Sequence, residues 1–546
     1  SYLDKVSPDG LIVQDFGVIR MCQEFFPNLE LHASTQMNVS SAAAANLLGK
    51  EGLKRVVVAR ELGFDEIRSI KNGTNVQLEM FVHGALCVSE SGLCMFSSFL
   101  GGKSANRGMC AQACRRFYTA EYPEGVKQGY YFSPCDLQLI EQIPDLIEAG
   151  VDSFKIEGRM KSAEYVGSVV SAYRYVIDHY QEDKKGALAT GKRILAGDFA
   201  RSKTNYWYGF KTLEEGVDNA ADKILNPDQA GGTGIYLGKI AAVKAADKEL
   251  ANAIREMLPE DASPEQKNIM MAELRDGSYD PDPGDSIRIH KKDDSGRVSH
   301  KIKTVEVDEE TGKRLIDIPG NFGIGDEVYL LQIKAGSKRY KRILPSDISR
   351  YRKQPKDEIL PILDLTPVKN KELSFFPEGI YVQVSSIADV FAIQGLNPVR
   401  VIIEYNSDTS FDILNHKTVL PFSKQIFISL DPFCSASQED KLKEELDRLI
   451  ADGYNNFVVN NIAHIQMLKK TDSNVVAGPY LYTFNRWAVS WLENQNATLK
   501  RLLNLKSEAV SLSLFLLILR CSGCGLNCRK ITILLILKIR KVQNLR

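Results

Sequence analysis

Four cysteines fall within one 28-residue window, spaced Cys87-x6-Cys94-x15-Cys110-x3-Cys114. Four thiolates on one stretch of chain can hold a soft metal centre, either tetrahedral zinc or an iron–sulfur cluster, and two disulfides are the bland alternative. Structural zinc sites favour pairs of short CxxC knuckles, and this spacing has none. A cluster tolerates irregular spacing better, because each iron takes its ligand from a different direction. Ten cysteines in 546 residues are too sparse for a disulfide scaffold, and no secretory signal is visible to favour disulfides. Around the thiols lie Lys103, Arg107, Arg115 and Arg116, among glycines at 84, 92, 101, 102 and 108. Cations on a flexible backbone suit an anionic substrate or phosphates, although four charges in a loop are often only solvated.

A second set of candidates sits on short β-branched runs. In Ser153-Phe154-Lys155-Ile156-Glu157 the two-residue period sends Lys155 and Glu157 to one face and Phe154 and Ile156 to the other. By the same rule Glu30 and His32 share a face, as do Gln77, Glu79 and His83. Glu157 or His32 can move protons near neutral pH once burial adjusts the pKa. Lys155 and Arg159 can bind a carboxylate or phosphate. A structural ion pair such as Lys155 with Glu157 is the equally plain reading. Neither HExxH nor GxSxG is present in the chain, which removes two familiar hydrolase sites. A Cys87–His83 nucleophile is conceivable, yet a cysteine that ligates a metal centre cannot also attack a substrate.

The elements that must position these residues follow from the pattern. Residues 1–185 alternate strands (Leu11 to Val13, Leu29 to His32, Arg55 to Val58, Val76 to Val82, Ser153 to Ile156) with helical stretches, which implies a parallel sheet in an α/β fold. Polar residues at the carboxyl ends of parallel strands are where barrel enzymes place their sites. Five strands are too few for eight, so the expectation is an incomplete TIM-like (β/α) barrel whose missing N-terminus supplies about three more. The chain begins with Ser1 rather than Met, which fits missing upstream sequence. Residues 186–350 read as a connector and a small β-barrel, from period-two runs such as GDSIRIH and GDEVYLLQI, interrupted by a charged insertion between Lys248 and Gly284. Small barrels often bind RNA, and Lys291, Lys292, Lys301 and Lys303 give this one a modest basic strip; a packing module is the bland reading. Residues 351–378 read as a linker and 379–508 as a second β/α region without clear chemistry. Residues 509–546 form a basic, apolar tail without Asp or Glu, read as sequence foreign to the fold; a membrane-surface segment is the weaker alternative.

Composition excludes a disordered or fibrous chain, with 25% charged and 44% hydrophobic residues. Sixty-nine basic residues balance sixty-nine acidic ones. Removing the tail's seven basic residues leaves 62 against 69, a net of −7 for residues 1–508. Any attraction for a nucleic acid must therefore come from a local patch.

The segments LHASTQMN (31–38), EMFVHGALCVSESGLC (79–94), SANRGMCAQACR (104–115) and FKIEGRMKS (154–162) together resemble the signature segments of peptidase family U32, the collagenase-like peptidases. The resemblance covers about 130 residues with four motifs in order and extends more loosely to residue 345; Phe96 stands where the family pattern leads one to expect an aliphatic residue. It implies one of two activities. One is oxygen-independent hydroxylation of a tRNA or rRNA base, with a 4Fe-4S cluster on Cys87, Cys94, Cys110 and Cys114 and prephenate as the implied hydroxyl donor. The other is proteolysis of a peptide or collagen, as the family name says. The expected setting is cytoplasmic, with RNA as partner and no membrane; the oligomeric state is not legible.

Overall fold

In the computed structural model the described residues are 3–4, 8–195 (without 124, 159, 160 and 162), 201–209, 224–227, 235–332 (without 259–262, 276–279, 293–295 and 308–312), 379–495 (without 417–419, 470 and 484), and three short strands at 502–504, 515–517 and 532–536. Arg159 and the linker 351–378 lie outside them, as does most of the tail.

The N-terminal region is mixed α/β. Strands β1 (Leu11–Val13), β2 (Leu31–Ala33), β3 (Arg55–Val57) and β4 (Gln77–Ala85) run parallel in sequence order. Beyond the hairpin β5 (Tyr118–Tyr122) and β6 (Gly125–Gly129) come β7 (Asp136–Gln138), antiparallel to the end of β4, and β8 (Ser153–Ile156), parallel to its middle. A two-residue strand, β9 (Lys203–Thr204), pairs with β7. The five strands expected from the pattern are all present. They belong to one open seven-stranded sheet among the described residues, with β1 at one edge, β9 at the other, and β8 paired to β4 off that path.

Helices cover one face of this sheet because the strands' alternate residues are apolar: Leu78, Met80 and Val82 are buried together with Leu47, Leu48, Ile67 and Ile70. Helix α1 (Phe16–Phe25) starts at Asp15, whose carboxylate accepts from the Val18 amide at 3.0 Å. Helix α2 (Ala42–Lys50) starts at Ser41 in the same way. At α3 (Phe64–Gly73), Glu66 reaches back to the Gly63 amide at 3.0 Å. A short α4 (Phe96–Gly101) lies inside the cysteine loop, α5 (Ile143–Glu148) precedes β8, and α6 (Ala163–His179) packs back across the sheet.

The middle region is an all-antiparallel seven-stranded sheet, order Arg297–Lys301, Ser286–His290, Glu327–Gln332, Ile235–Ala245, Ile269–Arg275, Arg314–Pro319, Val305–Val307. Its two end strands do not pair, so the barrel expected here is an open half-barrel among the described residues. The charged insertion expected between Lys248 and Gly284 contains a central strand, Ile269–Arg275. Its apolar run IMMA is short and flanked by charges, which hides its period.

From Gly379 a second parallel sheet runs in sequence order through Gly379–Val384, Arg400–Glu404, Ile426–Ser429, Asn456–Val459, Asn474–Ala477 and Leu502–Asn504. Two pieces of the tail, Phe515–Leu517 and Thr532–Ile536, add antiparallel strands at its first edge. One continuous apolar core joins this region to the N-terminal one. Trp491, fully buried, stacks on Phe16 of α1 with ring centroids 4.4 Å apart. Polar contacts complete the seam: Ser40 Oγ donates to the Cys434 carbonyl at 2.7 Å and Gln495 Nε2 to Glu51 at 2.9 Å.

Candidate metal centre and its surroundings

Strand β4 ends at Ala85, and Cys87 follows at the carboxyl end of the parallel sheet. The chain then loops through Cys94, α4, Cys110 and Cys114 before entering the hairpin. All four sulfurs are free thiols; Cys110 is exposed and the other three are half-buried. Burial pushes the Cys114 thiol up to about 11; Arg115 opposes this, while Cys87, Cys110 and Cys94 each add to it. The other three cysteines are thus within electrostatic range of Cys114, and as a donor set the four thiols suit a soft metal centre. Among the described residues no three His, Cys, Asp or Glu side chains form a ready-made ion-binding group.

The loop is held by side chains that donate to its carbonyls. Arg115 Nη2 donates to the Leu86 carbonyl at 2.9 Å, and Nη1 donates to Ser133 Oγ at 2.9 Å and to the Pro134 carbonyl. Burial brings this guanidinium down to about 10, with Arg201 adding to the effect. Arg201 is itself paired to the buried Asp136 at 2.6 Å. Asn106 Nδ2 donates to the Cys94 carbonyl at 3.0 Å and to Tyr482 Oη at 2.9 Å, and Tyr482 Oη donates to the Gly92 carbonyl at 2.6 Å. The C-terminal region, which offers no chemistry in its sequence, therefore braces the cysteine loop. Lys103, Arg107 and Arg116 are exposed on the same loop. Arg107 also lines a cavity of about 610 Å³ where the carboxyl ends of both parallel sheets meet, with Gln36, Asn38, Asn460 and Tyr482 among its walls.

The strand residues divide into two groups. Glu79 is buried and receives Lys155 Nζ at 3.0 Å, Ser153 Oγ at 3.1 Å and Arg55 Nη1 at 3.3 Å. Burial raises the Glu79 carboxyl, but the hydrogen bond and charge of Lys155, with the bonds from Ser153 and Arg55, outweigh it and leave the pKa lowered. His32 pairs in register with Arg55, so it lies on this face too, its Nε2 2.8 Å from Glu30 Oε1. Seven residues lie between Glu79 and Cys87, and the partners of Glu79 are Lys155, Ser153 and Arg55, all on neighbouring strands. Lys155 pairs with Glu79 rather than with Glu157.

His83 belongs elsewhere. The register of β4 against β8 slips between Phe81, opposite Lys155, and His83, opposite Ile156. That β-bulge turns His83 to the helix-covered face, away from Glu79, where Nδ1 lies 3.2 Å from Tyr173 Oη of α6. Strict alternation, which places Gln77, Glu79 and His83 together, misses this extra residue. Glu157 follows β8, and its amide donates to the His83 carbonyl at 2.8 Å. The two strands approach so closely there that Gly84, at φ +111°, leaves no room for a side chain: a Cβ would lie 2.6 Å from that of Glu157.

Residues overlooked by the sequence reading are Glu61 and Glu90. Glu61 follows β3, accepts from Ser91 Oγ at 3.0 Å, and has its carboxyl raised by burial. Glu90, inside the cysteine loop, is raised by burial and then by Glu61 and Asp431. Their signal was position, just beyond a parallel strand's carboxyl end.

Residues 1–218 match the model of peptidase family U32. The match covers 218 of the chain's 546 residues. Among U32-related proteins, the chain is 44% identical over 183 residues to tRNA hydroxylation protein P1 of Bacillus subtilis, covering 32% of this chain and 43% of that one. It is 37% identical over 253 residues to a 23S rRNA 5-hydroxycytidine synthase of Escherichia coli, covering 46% of this chain and 38% of that one. It is 36% identical over 224 residues to a collagenase of Porphyromonas gingivalis, covering 38% and 53%. The chain thus spans about half or less of the length of these relatives. No solved structure matches.

Proposed function

We propose that this U32 chain is part of an oxygen-independent hydroxylase that modifies a tRNA or rRNA base and carries a 4Fe-4S cluster on Cys87, Cys94, Cys110 and Cys114. The observation that carries the reading is the set of four free thiols on one braced loop at the carboxyl end of a parallel sheet. The names of two relatives support the reaction class. The parallel region is then an incomplete TIM-like (β/α) barrel.

When bound, the cluster supplies redox or Lewis-acid chemistry next to the base. Placing a hydroxyl on a ring carbon is a two-electron oxidation, so an oxygen donor must accept those electrons; prephenate is the candidate. The chain's own residues bind and orient. Arg115 and Asn106 fix the carbonyls of Leu86 and Cys94, which holds the backbone at two of the four thiols. Lys103, Arg107 and Arg116 offer exposed charge to phosphates. Glu61, bonded to Ser91 of the loop, and Glu90 within it have raised carboxyl pKa values and can hold a proton closer to neutrality.

Proteolysis is the second reading, favoured by the collagenase relative. It needs a free nucleophile, and the buried His83 faces Tyr173. The test is anaerobic purification with iron, sulfide and zinc analysis of the protein and its cysteine variants. Iron and sulfide are expected in the parent and in Cys22→Ser, and lost in Cys87→Ser, Cys94→Ser, Cys110→Ser or Cys114→Ser. Stoichiometric zinc without sulfide would sink the cluster reading. Comparing hydroxylated bases in RNA from cells with and without the gene separates hydroxylase from peptidase.

A further inference from the structure

The cysteine loop presents an unusual outer surface. Phe99 of α4 is 86% exposed, and Met95, Leu100, Met109 and Phe117 in the same segment are exposed as well. Large apolar side chains gathered in water mark a contact surface. Beneath them Phe96 stacks on Tyr118 at 6.0 Å and meets Phe132 edge-on at 5.4 Å. These rings fasten α4 to the β5–β6 hairpin, so loop and hairpin form one continuous face. The hairpin extends it with Tyr122, 52% exposed, whose ring lies 5.4 Å from Lys127 Nζ.

Charge narrows the choice of partner. Residues 95–132 hold five basic side chains (103, 107, 115, 116, 127) against two acidic ones (121, 124), a net of +3, whereas residues 1–508 carry −7. Rings suit bases, which all have a π-face, and interleaved cations suit the phosphates between them. A collagen-type peptide, built on glycine every third residue and rich in proline, offers neither phosphates nor stacking bases.

We infer that the outer face of α4 and the β5–β6 hairpin, with Phe99 and Tyr122 as stacking surfaces and Lys103, Arg107 and Arg116 as phosphate contacts, grips unpaired nucleotides of an RNA. The inference rests on the RNA-modifying reading and names the part of the chain that holds the RNA. A base that is to be hydroxylated must leave its stack, and the nucleotides beside it then need another surface to lie on.

The test uses the whole chain, a fluorescein-labelled 12-nucleotide single-stranded RNA, a blunt RNA duplex of the same length, and gelatin. The parent should bind the single strand more tightly than the duplex. Phe99→Ala should weaken single-strand binding by about 5- to 100-fold while leaving its salt dependence unchanged. Lys103→Ala should instead lower the slope of log affinity against log salt by about 0.7. Because both side chains point into solvent, unchanged melting temperatures are expected for the variants. Equal binding of parent and Phe99→Ala, preference for the duplex, or Phe99-dependent binding of gelatin instead of RNA would each overturn the inference. Failure to find a hydroxylated base in cells, with Phe99-dependent RNA binding intact, would remove the hydroxylase reading and leave this surface standing.

Discussion

At the scale of single residues, the cationic candidates near the thiols do different jobs. Lys103, Arg107 and Arg116 face water, while Arg115 turns inward and spends its fork on the carbonyls of Leu86 and Pro134 and the hydroxyl of Ser133. Arg115→Ala should therefore loosen the cysteine loop. The expected cost is about 2–3 kcal/mol, because buried carbonyls lose charge-assisted donors. Arg115→Lys should recover only part of it, since an ammonium cannot reproduce the planar fork. Urea unfolding measures the cost, and limited proteolysis between residues 95 and 110 reports the loosening. The segments LCVSESGLC and SANRGMCAQACR made these four thiols legible without a structure, and the spacing alone told apart neither zinc from cluster nor anchor from substrate contact. That distinction depends on which way each guanidinium points, and a three-dimensional neighbour such as Ser133 decides it.

Individual elements show the same division. The helix Ile462–Met467 of the C-terminal region packs on α2, and His464 within it is fully buried. Burial holds the His464 pKa down to about 3 from an ordinary 6.5. The unfolded chain therefore takes up a proton below about pH 6.5 that the folded chain refuses. Stability is fully present above that pH and falls as the pH drops from 6.5 toward 3, by about 1.4 kcal/mol per pH unit from this group. His464→Gln should flatten that part of the profile. Urea midpoints at pH 7.5 and 5.0 for parent and variant provide the check; an unchanged difference between the two pH values would exclude His464 as the source. Strand existence was readable from β-branched runs, whereas the bulge that turns His83 from Glu79 toward Tyr173 was not, because an inserted residue leaves no mark in the hydrophobic period.

For the whole molecule, the continuous core linking the N-terminal and C-terminal β/α regions is the decisive feature. It predicts that the two unfold together. Trp491→Ala removes the ring stacked on Phe16 and should cost about 3–5 kcal/mol, lowering one shared thermal transition. Calorimetry that resolved two separate transitions, with only the later-sequence one displaced, would show instead that each region folds alone. The same seam carries Tyr482 to the Gly92 carbonyl and to Asn106, so the distant half of the chain helps set the shape of the cysteine loop.

By itself the sequence determined the α/β class of the first region, the positions of its strands along the chain, the four-thiol loop and the family resemblance, because these depend on local period and on short motifs. Tertiary structure decided what local pattern cannot hold. It paired Lys155 with Glu79 rather than Glu157, turned Arg115 into a clamp, left the half-barrel open among the described residues, and made a C-terminal region without motifs into a brace. Each of these depends on contacts between residues tens to hundreds of positions apart, which hydrophobic burial brings together and no window of sequence contains.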